Sequence, residues 1–195
     1  MGTNCAPLLA NLYLMSCEYE FLETLTKKNI HHAQCFSLTF RFIDDLLTVN
    51  NKYFRTYLPQ IYPKELELKE TTESNLKCSF LDLLLFSDDN QLKFKLYDKR
   101  DDFDFDIVNY PFIDSNIPTS PAYGVYVSRL VCFARICTEF GDFAMRHKLL
   151  ADKLCKQGYE KKRLKQAFLM FCKGYSHLMS KYGVDLAEHI NKILQ

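Results

Sequence analysis

Apolar positions recur at three- and four-residue steps from the start of the chain, at Leu8, Leu9, Leu12, Met15, Tyr19 and Leu22. That spacing predicts an amphipathic helix from Pro7, a residue suited to a first helical turn, to about Lys27. The period then changes. Phe36-Ser-Leu-Thr-Phe-Arg-Phe42 alternates, Asp44-Asp45 interrupts, and Leu46-Leu-Thr-Val49 resumes before Asn50-Asn51. This reads as strand, tight acidic turn, strand, turn. A short helix is expected over 52–58, and a strand over 65–70, where Leu66 and Leu68 alternate with charge. Residues 78–86 and 91–97 flank Ser87-Asp88-Asp89-Asn90 as a second hairpin, while the acidic, aromatic stretch 98–120 reads as irregular. From Pro121 onward, 121–139, 141–157, 160–181 and 184–194 carry helical periodicity, punctuated by Gly141, Gly158 and Gly183. The expected fold class is α+β, with hairpins and a long helix over 1–120 and an all-helical part over 121–195.

Composition narrows the class. The chain has 195 residues, 48% of them hydrophobic, with 6 Gly and 6 Pro, which excludes a disordered or collagen-like polymer. Eight cysteines sit singly, without a C-x-x-C pair, mostly among apolar neighbours. They read as reduced thiols, consistent with a nuclear or cytoplasmic protein that is not secreted. The first apolar stretch carries Glu18, Glu20 and Glu23, so it resembles neither a signal peptide nor a membrane anchor, and no membrane partner is expected. The abrupt start, Gly2-Thr3-Asn4 and then a long helix, reads as a fragment.

The net charge of +1 is a cancellation: residues 1–128 carry −6 and residues 129–195 carry +7. An acidic hairpin part beside a basic helical part suits an enzyme that holds cations in one place and a phosphate backbone in the other. Asp44-Asp45 is the sharpest chemical feature. Adjacent carboxylates between apolar strands repel each other unless cations neutralise them, and hard divalent ions do so. Two such ions about 4 Å apart activate a hydroxyl and stabilise a leaving pyrophosphate. The ordinary alternative is a polar turn, of which Asp88-Asp89-Asn90 is an example.

Four segments in order carry a resemblance. Phe42-Ile43-Asp44-Asp45 resembles the aromatic-x-Asp-Asp motif of reverse transcriptases, and residues 2–13, from Gly2-Thr3-Asn4 to Asn11-Leu12-Tyr13, resemble their Gly loop and following helix. Lys77-Cys78-Ser79-Phe80-Leu81-Asp82 is similar to the primer-grip region of Penelope-like retroelements, and 95–118 to the segment that leads into their thumb. The resemblance implies a partial polymerase palm over 1–120 and a helical thumb over 121–195. It implies Asp44 and Asp45 as catalytic metal ligands for two Mg²⁺ or Mn²⁺ ions, with RNA template, DNA primer and dNTP as partners. Gly2, Thr3, Asn4, Phe42 and Ile43 would lie near template and nucleotide, and Phe80 and Leu81 near the primer end. Arg129, Arg135, Lys161, Lys162, Arg163 and Lys165 would contact the duplex backbone.

The third carboxylate that such palms use lies upstream of the Gly loop, and no later acid obviously replaces it. Asp102, Asp104 and Asp106 read as a solvated acidic loop, Lys69 and Lys64 as solvated lysines competing for a proton-donor role, and His31-His32 with Cys35 as an ordinary loop. Tyr110, Phe112, Tyr123 and Tyr126 read as core or hinge aromatics. The alternatives are an inactive retroelement remnant or nucleic-acid-binding module, and a metal phosphodiesterase, for which the additional ligands are lacking.

Overall fold

A computed structural model describes residues 5–72, 74, 76–105, 107–184 and 186–193. Secondary structure runs α1 (Ala6–Lys28), α2 (Ile30–Gln34), β1 (Thr39–Phe42), β2 (Asp45–Thr48), α3 (Phe54–Ile61), β3 (Lys77–Phe80), β4 (Leu83–Asp88) and β5 (Gln91–Leu96). The helices α4 (Thr119–Ile136), α5 (Phe140–Lys156), α6 (Lys161–Gly174), α7 (Ser176–Met179) and α8 (Leu186–Ile193) follow. The chain is α+β, with two small antiparallel sheets, β1-β2 and β3-β4-β5. Its internal contacts divide it into two units, Met1–Thr71 and Thr72–Gln195. The expected boundary near 120 thus falls inside the second unit, because the three-stranded sheet packs on helices. Thr138 and Phe94 exchange two hydrogen bonds, of 2.8 and 2.9 Å, and the Arg146 guanidinium donates to the Leu96 carbonyl at 3.0 Å.

In the first unit, Leu25, Phe36, Ile61 and Tyr62 form the core, with Phe21, Leu22, Leu46, Phe54, Tyr57 and Leu58 packed around them. Phe36 is drawn into this cluster, so Cys35–Leu38 forms a 3₁₀ turn, and β1 begins only at Thr39. The predicted stripe on α1 is only partly used. Leu22 is half-buried, whereas Leu8, Leu9, Leu12, Met15 and Tyr19 are exposed. Residues 65–70 form no strand: Leu66 and Leu68 are exposed, and no neighbouring sheet edge among the described residues pairs with them. Alternation alone cannot hold a strand without a partner for its ladder.

The second unit is built round α4, α5, α6 and α8. Tyr126, Leu130, Phe143, Leu154, Leu164, Phe168, Phe171 and Ile190 are at most 1% exposed. Burial of each stabilises the unit by roughly 1.5–3 kcal/mol before entropy is counted. The single helix expected over 160–181 breaks at Gly174–Tyr175 into α6 and α7. That break brings Lys181 under the end of α4, where its Nζ donates to the carbonyls of Ala134 (2.6 Å) and Cys137 (2.8 Å). A cation there satisfies orphan carbonyls and complements the helix dipole. Leu169 of α6 is exposed, since the buried positions step 164, 168, 171. All eight cysteines are free, and no described helix is long and apolar enough to cross a membrane.

Gly158 ends α5 with φ +86, and a Cβ at this position would meet Ile113 Cγ2 at 3.0 Å. Ile113 is held there by its amide, which donates to the Gln157 carbonyl at 3.0 Å. Gly158→Ala is therefore expected to destabilise the second unit by about 1–3 kcal/mol through left-handed strain and contact together. A thermal melt reads this as a lower Tm; an unchanged Tm would show that the α5 end relaxes freely.

Candidate functional site

The β1-β2 hairpin pairs Thr39 with Thr48, Phe40 with Leu47, Arg41 with Leu46 and Phe42 with Asp45. The turn is therefore Ile43-Asp44, and Asp45 opens β2 rather than lying in the turn. Two-residue turns of this kind ask for φ > 0, which Gly, Asn and Asp accept readily. Here the first turn residue is Ile43, at φ 54. A β-branched side chain in the left-handed region is costly, by roughly 1–3 kcal/mol, and persists only where its surroundings hold it.

Arg41 is what holds it. Its Nε donates to Glu18 Oε1 at 2.6 Å, Nη2 to Glu18 Oε2 at 3.2 Å, and Nη1 to Asn11 Oδ1 at 2.6 Å. Nη1 also donates to the carbonyl of Ile43 at 3.3 Å. The Tyr62 hydroxyl donates to Glu18 Oε1 at 2.6 Å, and burial with the Glu18 carboxylate beside it pushes this phenol well above its ordinary pKa. One guanidinium thus ties α1 to the turn through α1 carboxylate, amide and turn carbonyl together. A charge in mid-strand must find such a partner or stay in water.

This pairing inverts β1. Thr39 and Arg41 point inward, with Thr39 Oγ1 3.0 Å from Thr48 Oγ1, while Phe40 and Phe42 are 48% and 55% exposed. Directly opposed residues share a face, so Phe42 and Asp45 stand together beside the exposed Asp44. The hairpin presents two adjacent carboxylates rimmed by aromatic rings. Among the described residues no group of three or more His, Cys, Asp or Glu side chains converges to hold a metal ion. Gly2, Thr3 and Asn4 lie outside the described residues.

A second turn repeats the pattern in the other unit. Phe80 pairs with Leu83, leaving Leu81-Asp82 as the turn, with Leu81 at φ 54. Read as one run from 78 to 86, the sequence hid this reversal, because Leu81 violates turn chemistry. Phe80 is half-buried and Leu81 exposed. Among the described residues, the remaining positive φ values outside glycine fall on Asn50, Asp89 and Asn90, which tolerate them.

The basic candidates scatter over the helical elements. Arg135 is exposed, and Lys161, Lys162 and Arg163 are exposed in the first turn of α6, which contains no acidic residue. Three cations at the positive end of a helix dipole are mutually and electrostatically unfavourable, unless an anion offsets them. Lys165 donates to Asn191 Oδ1 at 2.5 Å, and Arg163 lies 3.5 Å from Glu160. Arg129 differs: it is half-buried, over the Phe133 ring at 5.4 Å.

Other expectations resolve as packing. His31 and His32 lie in α2 and not in a loop: His32 Nδ1 lies 2.7 Å from the Tyr57 hydroxyl and its ring stacks on Tyr53 at 3.8 Å, while the Cys35 thiol donates to the His31 carbonyl. Lys69 and Lys64 are exposed, Lys69 at 3.9 Å from Glu67. Asp102 accepts from the Tyr97 hydroxyl at 3.0 Å, Asp104 is exposed, and Asp106 lies outside the described residues. Tyr126 is a core residue, whereas Phe112 is exposed. Sequence reasoning missed Arg41, Glu18, Asn11 and Tyr62. The available signal was a charge within each of two apolar elements.

Comparison with protein-family models, with curated proteins and with solved structures finds no match to this chain.

Proposed function

We propose that the chain is part of an RNA-directed DNA polymerase of the Penelope-like reverse transcriptase type. In this reading 1–120 is a partial palm and 121–195 a thumb-like helical part. Asp44 and Asp45 are two of its catalytic carboxylates, Phe42 and Ile43 border nucleotide and primer terminus, and Phe80 and Leu81 help place the primer end. The template is RNA, the primer DNA and the substrate a dNTP, with Mg²⁺ or Mn²⁺ as the catalytic ions.

The observation that carries this reading is the strained turn: a β-branched residue at φ 54, immediately before two exposed adjacent carboxylates, braced by a saturated arginine. Backbone strain kept in place by dedicated contacts concentrates at working sites. A turn serving only to reverse the chain has Asn or Gly available at no such cost. The pair falls short of a two-ion centre, since such centres clamp both reacting oxygens with further carboxylates, and among the described residues none joins it. The chain alone is therefore expected not to extend a primer.

A nucleic-acid-binding module without chemistry is the second reading, favoured by the cationic first turn of α6. Anisotropy of a labelled RNA–DNA hybrid tests what both readings share. With about four phosphates neutralised, affinity should fall about a hundredfold between 50 and 200 mM salt. Replacing Lys161, Lys162 and Arg163 together by Gln should flatten that dependence by two to three phosphate equivalents, roughly one per cation. Absent binding at 50 mM salt, or binding indifferent to salt, overturns the polymerase reading. Primer extension on poly(rA)–oligo(dT) separates the two: extension that Asp44→Asn abolishes would show that the pair works as it stands.

A further inference from the structure

A cleft of about 190 Å³ opens in the second unit, where the segment after β5 crosses α4 and α5. It is smaller than the roughly 300–1,000 Å³ of drug-sized sites, so it seats one part of a ligand and leaves the rest at its mouth. Among the described residues, four cations and two carboxylates line it. Asp98 takes both Arg100 Nε (2.7 Å) and Nη2 (2.6 Å), and this guanidinium holds its carboxyl at about 2, well below the usual range. Arg146 is paired with Asp101 and with the Leu96 carbonyl. Both acids are thereby used, and among the described residues no carboxylate pairs with Arg129 or Lys153.

Two residues of the lining each carry a buried polar atom without a partner. Arg129 Nε is a buried donor without a hydrogen-bond partner, and Asn109 Oδ1 is a buried acceptor without one. Buried groups in this state cost stability unless something occupies the space beside them. At the mouth, Phe103 and Phe105 are 53% and 65% exposed, with ring centroids 5.4 Å apart and planes 48° apart. Among the described residues, two cations without a carboxylate partner and a pair of exposed aromatic rings line one small volume.

We propose that this cleft binds a nucleoside monophosphate, with the phosphate on Arg129 and Lys153 and the base against Phe103 and Phe105. Arginine suits an oxyanion because its fork donates to two oxygens at once. Aromatic rings accept any nucleobase, since every base has a π-face. The site goes beyond the polymerase reading and does not rest on it: the Asp44-Asp45 hairpin contributes no residue.

Isothermal titration of the full chain with AMP tests this, with adenosine and inorganic phosphate as separate probes. AMP should bind saturably, and each half alone at least about tenfold more weakly, because neither engages all the groups. Arg129→Gln should weaken AMP about 10- to 100-fold, the loss expected for a charge-assisted hydrogen bond. Lys153→Gln, which removes a single ammonium, and Phe105→Ala, in an exposed ring, should each weaken it by about three- to tenfold. If circular dichroism shows Arg129→Gln unfolded, these two variants decide. No saturable binding of AMP overturns the proposal, as does inorganic phosphate binding as tightly as AMP, or variants that leave AMP unaffected. Hybrid binding retained without AMP binding sinks this inference and leaves the polymerase reading standing.

Discussion

Arg41→Ala lowers the stability of the first unit by about 2–4 kcal/mol and loosens the Ile43-Asp44 turn. Breaking a fully buried ion pair from one side costs about 3–5 kcal/mol, because the partner charge stays behind unpaired. Here the Arg41 side chain is 11% exposed and that of Glu18 is 24%, so some of the Glu18 charge reaches water and the loss is smaller. Asn11 Oδ1 and the Ile43 carbonyl lose their donor as well. Denaturant unfolding reads the stability, and amide exchange at residues 43–46 reads the turn. Glu18→Gln keeps the shape and removes the charge, so it should cost less than Arg41→Ala. In a double-mutant cycle the two losses should couple by at least about 1 kcal/mol. Additive losses, or Arg41→Ala within about 0.5 kcal/mol of the parent, the usual range for surface changes, would mean that the turn keeps its strained geometry without the bracket.

Acid begins to weaken the second unit before the carboxylates of its surface titrate. His147 is fully buried, with Nε2 2.5 Å from the Tyr126 hydroxyl and Nδ1 2.9 Å from His189 Nε2. Phe143 and Phe168 ring the pair, with the Phe168 ring centroid 4.8 Å from that of His147. Burial, and secondarily the neighbouring His189, push the His147 pKa down to about 3. Burial, with Lys192 nearby, lowers that of His189 too. A histidine whose folded pKa lies below its unfolded value of about 6.5 favours unfolding once protonated. The stability is complete above pH 6.5 and is lost as pH falls from there towards 3. At pH 5, His147 alone accounts for about 2 kcal/mol, and His189 adds to it. The Tm of the unit should drop by on the order of 5–10 °C between pH 7 and pH 5. His147→Phe removes the titration and leaves Tyr126 without its partner, so Tm at pH 7 falls while the slope against pH flattens. A slope unchanged by that substitution would assign the acid sensitivity elsewhere.

Much of the framework was legible in the chain. The three- and four-residue spacing over 7–27 and from 121 onward placed the helices to within a few residues, except over 160–181, because helix periodicity and Gly punctuation are local. The acidic hairpin was equally legible from its alternation. The β3-β4 hairpin was hidden, since Leu81 at φ 54 looks like a strand residue. The strand read at 65–70 failed for the opposite reason: its alternation was real, but no partner strand pairs with it.

The sequence by itself determined the α+β class, the adjacent acids at Asp44-Asp45 and the charge split between −6 and +7. These depend on neighbours in the chain and on summed composition. Only the tertiary structure decided which face of β1 is buried, because a period of two has two solutions, and Glu18, 23 residues away from Arg41, selects one. It also decided that Arg129 lines a cleft rather than an open helix face, and that His147 and His189 meet across 42 residues. Partners so far apart leave no mark in local pattern. Desolvation and pairing, which depend on what lies alongside in space, set both the strain at Ile43 and the charge state of the buried histidines.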